Sequence, residues 1–202
     1  MKVKALKENL LKMGYEVSDF NTKEEATAYL KKSIKGKSVG IGGTITAKEM
    51  GLLDALKDEN EVIWHWFPGE MTAGEALKKA ATTDIYVSSV NGIALSGEIV
   101  NIDGTCNRLA STLYGHEKVY LLIGENKIED TLDGAIYRAR NIAAPLNAKR
   151  LGKNTPCANN RDENKCYNCS SPERICAALT VFWQRPKGQK YEVILIRESL
   201  GY

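Results

Sequence analysis

Residues 38–56 read SVGIGGTITAKEMGLLDAL, and the fold class turns on them. Ser38–Gly43 is a short apolar run that ends in glycines, the pattern of a buried strand. Thr46-Ala-Lys-Glu49 is a capping box: a hydroxyl and a carboxylate three residues apart satisfy each other's orphaned backbone N–H groups at a helix start. Leu52, Leu53 and Leu56 continue as the apolar stripe behind it. A strand, a glycine turn and a capped helix in immediate succession form the repeating unit of a parallel sheet.

The same unit recurs outward in both directions. Upstream, Val3, Leu6, Leu10 and Met13 fall at helical spacing before Gly14, and Tyr15–Phe20 reads as a short strand. Thr22-Lys-Glu-Glu25 is a second capping box, with Ala26, Tyr29, Leu30 and Ile34 as its stripe. Downstream, Glu61–Trp66 is strand-like, and Thr72-Ala-Gly-Glu75 opens a helix through Leu77 and Ala80. Asp84–Val90 is a strand, and KVYLLIG (Lys118–Gly124) is apolar enough to be buried on both faces. Ile128, Leu132, Ala135, Ile136 and Ala139 mark a long amphipathic helix. Ala178–Gln184 and Tyr191–Arg197 are strand-like, joined through Pro186-Lys-Gly188. The pattern predicts one α/β domain over residues 1–202, with a mainly parallel sheet, helices on both faces, and Val39–Ile41 and Tyr120–Ile123 as central strands.

Composition narrows the function classes. The chain has 202 residues, 43% hydrophobic and 26% charged, values typical of a globular domain with a real core. A net charge of +3 is too small to suggest nucleic acid or a membrane surface. No apolar run spans a bilayer, and the first residues form an amphipathic helix, not a signal peptide. A cytoplasmic location is the expectation, where the five cysteines stay reduced and point to metal or reactivity.

Two stretches could bind a ligand. In the first, Gly42, Gly43, Thr44 and Thr46 lie between a strand and a helix, where bare backbone and hydroxyls could cradle a phosphate. Tight strand-to-helix packing is the alternative. The second is SSVNGIALSGEIVNIDGTCNRLAS (Ser88–Ser111), which reads as a hairpin followed by a short helix to Tyr114, capped by Thr105 or Asn107. Its helix start, with Asn91, Glu98, Asp103, Gly104, Thr105, Asn107 and Arg108 nearby, reads either as a pocket for a small carboxylate or phosphate or as a purely structural hairpin. Glu98 and Asp103 are the carboxylates best placed for acid–base or nucleophilic work, and Cys106 reads as a pocket thiol or as filler. His65 and His116 read as structural. Of the basic group Arg138, Arg140, Asn147 and Arg150, the last two stand out from a solvated helix face.

Composition changes near Leu151. Residues 152–176 are polar and carry Cys157, Cys166, Cys169 and Cys176 at the spacing C-x8-C-x2-C-x6-C. Four thiolates can complete a tetrahedral zinc site or hold a 4Fe–4S cluster, whereas buried free thiols or a redox disulfide are the alternatives. With so little apolar surface, the loop needs something to hold it.

Several segments together resemble the lactate-utilisation (LUD) domain family. They are Ser89–Ile93, Gly97–Thr105, Asn107-Arg108, Gly124-Glu-Asn-Lys127, Ala144–Arg150, Thr155-Pro-Cys157 and Arg174-Ile-Cys176. The resemblance implies a fold similar to ribose-5-phosphate isomerase and coenzyme A transferase. It also implies work beside iron–sulfur subunits that oxidise lactate to pyruvate. Cys106 stands where many similar sequences carry glycine. Two classes of function follow: a subunit or accessory enzyme of organic-acid oxidation that binds a small anion and a four-cysteine centre, or a non-catalytic redox or regulatory module docking an iron–sulfur partner through its cysteine loop. No nucleic-acid or membrane partner is expected; self-association is left open.

Overall fold

The structure is a computed structural model that describes residues 2–160 and 165–202. Its frame is a six-stranded sheet, every pair of it parallel, in the order β1-β10-β7-β4-β2-β3. The strands are β1 (Glu16–Phe20), β2 (Ser38–Ile41), β3 (Glu61–Trp64), β4 (Ile85–Ser89), β7 (Lys118–Gly124) and β10 (Lys190–Ile196). A smaller sheet, in the order β8-β5-β6-β9, contains β5 (Gly92–Ala94), β6 (Ile99–Asp103), β8 (Ile128–Glu129) and β9 (Ala178–Phe182). The helices are α1 (Lys2–Lys12), α2 (Lys23–Ser33), α3 (Ile45–Glu49), α4 (Leu52–Leu56), α5 (Ala73–Ala80), α6 (Asn107–Leu113), α7 (Leu132–Arg138), α8 (Ala144–Arg150) and α9 (Pro156–Asn159).

β7 shows why the parallel sheet is central. Successive side chains of a strand point to opposite faces. Tyr120 and Leu122 enter one core with Leu30 of α2, Ala47 of α3 and Leu56 of α4. Val119, Leu121 and Ile123 enter the other, with Leu6 and Leu10 of α1 and Ile93, Ile99 and Phe182 of the small sheet. The second face is therefore covered as much by the small sheet as by helices. The hairpin expected from Asn91-Gly92 and Ser96-Gly97 forms, with Ile93 opposite Ile99 in antiparallel register. It leaves the main sheet and recruits β8 and β9 instead.

Three local expectations are corrected. The cap of α3 is Thr44, which has an extended backbone and whose hydroxyl accepts the Ala47 N–H at 3.4 Å; Thr46 sits inside the helix and is buried. Ile128 pairs with Ile93 as a strand, so the long helix starts only after the Thr131 cap. It then runs through one π turn, Ala139–Ala143, into α8. Pro145, at the start of α8, has no N–H to give to the preceding turn, which favours such a break in the ladder. Finally, neither Thr105 nor Asn107 caps α6. Cys106 is the cap residue, at φ 63°, and the Asp103 carboxylate accepts the N–H groups of Arg108 at 3.1 Å and Leu109 at 3.3 Å. A left-handed backbone favours glycine, so cysteine is held there against its usual preference.

Candidate functional site

A cleft of about 240 Å³ opens where the parallel strands end. Every strand of the main sheet except β1 sends a segment to it: β2 leads to Gly43–Thr46, β3 to His65 and Trp66, β4 to Val90 and Asn91, β7 to Lys127, and β10 to Gly201 and Tyr202. Asp103–Arg108 from the hairpin and Asn147 and Arg150 from α8 complete the walls. Ligands of open parallel sheets bind at this end, because loops diverge there and leave a crevice.

The two stretches singled out by sequence thus meet at one cleft. Gly43, Thr44, Thr46, Asn91, Asp103, Gly104, Thr105, Asn107 and Arg108 all line it. Gly42 and Glu98 do not. A Cβ on Gly42 would stand 2.9 Å from the Tyr86 hydroxyl, so this glycine exists for packing. Glu98 lies at the far turn of the hairpin, bonded to the Ser96 hydroxyl.

Arg108 is buried, and the four N–H groups of its Nη1 and Nη2 are engaged by the protein. Nη1 donates to the Ser89 carbonyl at 2.9 Å and to Asn101 Oδ1 at 2.6 Å. Nη2 donates to Asn91 Oδ1 at 3.0 Å and to the Ile102 carbonyl at 2.6 Å. It ties the strand end of β4 to β6. Two first-turn amides of α6, those of Arg108 and Leu109, are likewise occupied by Asp103 and are not offered to an anion. Arg138, also buried, donates to the carbonyls of Asn126 and Asn91. His65, which sequence alone read as structural, lines the cleft beside Trp66, and burial lowers its pKa. Arg150 lies over the Trp66 ring at 4.8 Å and bonds Asn147 and the Tyr202 hydroxyl. His116 is remote, held by the Thr83 carbonyl.

The side chain that sequence reading passed over is Lys127. It is only 2% exposed, and its Nζ donates to Thr46 Oγ1 at 2.9 Å and Ser89 Oγ at 2.6 Å. Among the described residues no carboxylate oxygen lies within ion-pair distance of it. Burial first, then the charges of Arg138 and Arg108, push its pKa down to about 7. The one sequence signal was a lysine directly after the β7 strand end, in Gly124-Glu-Asn-Lys127, with nothing local to mark its burial.

The cysteine segment adjoins the cleft. Cys157, Cys166, Cys169 and Cys176 are free thiols, half-buried, and all border one small cavity of about 20 Å³. Arg174 Nε donates to Cys176 Sγ at 3.2 Å, and the Asn168 N–H to Cys166 Sγ at 3.4 Å. Among the described residues no three ligand side chains are grouped closely enough to hold a metal ion. Residues 161–164, which belong to the cysteine-rich loop 152–176, lie outside the described residues. Cys106 stays away from this cavity. Ala144 and Ile175 line both the cavity and the cleft, and the Ala177 N–H donates to the Asp103 carbonyl at 2.9 Å.

These features define a class: an open, parallel α/β domain with its cleft at the carboxyl ends of the strands. The LUD domain model matches residues 3–196, and the chain belongs to that family. Among solved structures, a DUF162 family protein from Deinococcus radiodurans is similar over 96% of this chain and 96% of its own, with 14% sequence identity and a TM-score of 0.57. That likeness is one of fold. No curated protein matches the chain. Among the described residues no helix is long and apolar enough to cross a membrane.

Proposed function

We propose that this LUD-domain protein binds a small organic anion of the lactate type in the cleft, as a subunit or accessory enzyme of organic-acid oxidation. One observation carries the reading. Lys127 is a buried amine beside the cationic Arg108 and Arg138, with Glu49 acting on it only from a distance and no described carboxylate within ion-pair reach, so once protonated it carries an uncompensated charge. An uncompensated buried charge is costly, and a carboxylate or phosphate entering the cleft offsets that cost. Gly43, Thr44, Thr46, Asn91, Asp103, Gly104, Thr105, Asn107 and Arg108 would shape the ligand's surroundings, with Arg108 acting as scaffold. Asn147 and Arg150 would supply side chains from the opposite wall. Such a strand-end cleft also suits the kinship with ribose-5-phosphate isomerase and coenzyme A transferase folds. The family's association with lactate utilisation selects the ligand class.

Calorimetric titration with L-lactate, D-lactate, pyruvate and inorganic phosphate tests this reading. At least one should bind, and Arg150→Ala should weaken it by ~1.5–3 kcal/mol if the contact is a charged hydrogen bond. Absence of binding by all four overturns the reading.

The same proposal includes a metal centre, iron–sulfur or zinc, held by Cys157, Cys166, Cys169 and Cys176. The donor chemistry suits either centre, since four free thiols border one cavity, but no three of them are grouped closely enough here to hold an ion, so the segment would have to draw them together on loading. An iron–sulfur cluster would supply one-electron chemistry, and zinc a structural tie. Anaerobic purification followed by iron and zinc analysis decides between them. Less than a tenth of an equivalent of either, with all four thiols alkylated freely, removes the centre from the proposal. Iron–sulfur oxidoreductase subunits are the partners expected in an anaerobic pull-down, within a reducing compartment such as the cytoplasm.

A further inference from the structure

Lys127 has a hydrogen-bond arrangement that goes beyond anchoring an anion. The Ser89 hydroxyl donates its single proton to the Leu122 carbonyl at 2.6 Å. The Thr46 hydroxyl has two acceptors at 3.3 Å, the Leu200 carbonyl and Ser89 Oγ. Both oxygens can therefore only accept from Lys127, which gives them two N–H bonds. A neutral amine has just two N–H groups, so this cradle satisfies both and leaves the nitrogen lone pair. An ammonium has a third N–H, for which the described residues provide no ion-pair partner. The side chain forms part of the cleft wall, so a ligand in the cleft lies beside it. Burial and the neighbouring arginines favour the neutral form.

We propose that Lys127 forms a reversible imine with the carbonyl carbon of a small 2-oxo acid held in this cleft. This deepens the reading of the cleft as an organic-anion site and rests on it. The ligand class follows from the chemistry of the walls: a carbonyl for the amine, and a carboxylate for the cationic surroundings. The step balances without an oxidant. The nitrogen lone pair adds to the carbonyl carbon, and the carbonyl oxygen leaves as water with the two amine protons. Uptake of one proton gives an iminium, whose N–H has Ser89 Oγ or Thr46 Oγ1 as acceptor. Lysines made nucleophilic by burial work in this way.

The test uses the full chain with pyruvate as probe and sodium borohydride as trap, followed by peptide mapping. The expected result is a reduced adduct at Lys127, formed at least ~10-fold faster than at any surface lysine and absent from Lys127→Met. Borohydride traps an imine as a stable secondary amine, so wild-type mapping suffices even if the variant fails to fold. Titration of wild type with pyruvate is run alongside. Binding without an adduct at Lys127 overturns the imine and leaves the anion site standing. An adduct spread evenly over surface lysines also overturns it. Absence of both binding and adduct with pyruvate overturns the imine, and the anion site falls with it only if L-lactate, D-lactate and phosphate also fail to bind.

Discussion

At the scale of single residues, charge and burial decide most. Arg108 reads from sequence as an anion-binding arginine, but its four donor contacts go to Ser89, Asn91, Asn101 and Ile102. Arg108→Ala therefore acts first on stability: it leaves buried acceptors without partners and is expected to cost about 3 kcal/mol in urea unfolding. A variant that unfolds like wild type would show that these contacts are dispensable. Lys127 gives a pH-dependent prediction. Folding lowers its pKa from 10.5 to about 7. Between those values the unfolded chain binds a proton that the folded chain lacks, so this group's contribution to stability rises with pH across the window. Below about pH 7 both states are protonated and the penalty is constant. Wild type should thus gain stability relative to Lys127→Met as pH rises from 7 toward 10. Parallel pH profiles of the two would show that the amine is already solvated.

At the scale of elements, local chemistry is the stronger guide. Thr72 and Glu75 form the full reciprocal box at the start of α5, as their spacing predicts. Thr72→Ala should cost about 1 kcal/mol while leaving the cleft's ligand affinity unchanged, since α5 is absent from its walls. Chemical denaturation and titration of the same variant check both halves. Thr22 also caps its helix, but Glu25 reaches the Asn21 N–H at 2.9 Å, one residue earlier than an ideal box. In α3 the cap moves to Thr44 because Thr46 is needed inside, where its hydroxyl meets Lys127 and the Leu200 carbonyl. In α6 the missing cap is supplied from the preceding strand by Asp103. The misplaced caps are those beside the cleft, where tertiary contacts compete for the same hydroxyls.

At the scale of the whole molecule, the cysteine segment and the cleft share a wall. A Cβ on Gly104 would stand 2.6 Å from the Ile175 carbonyl, so the backbone just before Cys176 presses directly on the Asp103–Arg108 loop. The described residues of 152–176 belong to neither large core, and under the proposed centre a metal would supply the free energy that holds the segment. Under the proposed centre, Cys169→Ser should release metal and make 152–176 sensitive to limited proteolysis while the parallel sheet stays folded. Far-ultraviolet circular dichroism and peptide mapping of the first cuts check this together. Unchanged protease resistance would mean that side-chain contacts alone hold the segment.

Sequence by itself determined the elements and their order. A buried strand such as Lys118–Gly124, a hairpin turn at Ser96-Gly97 and a capping box at Thr72 are set by residues a few positions apart, so their signals are local and readable. It also marked the two loops that meet at the cleft, because glycines and hydroxyls at strand ends are local signals too. Only the tertiary structure decided that β10 inserts between β1 and β7, pairing Glu16 with Glu192, and that the hairpin builds a sheet of its own. It alone buried Lys127 against Thr46 and Ser89, residues 81 and 38 positions away. Depth below the surface, and which hydroxyl meets which amine, depend on the packing of separate strands and leave no periodicity in the chain.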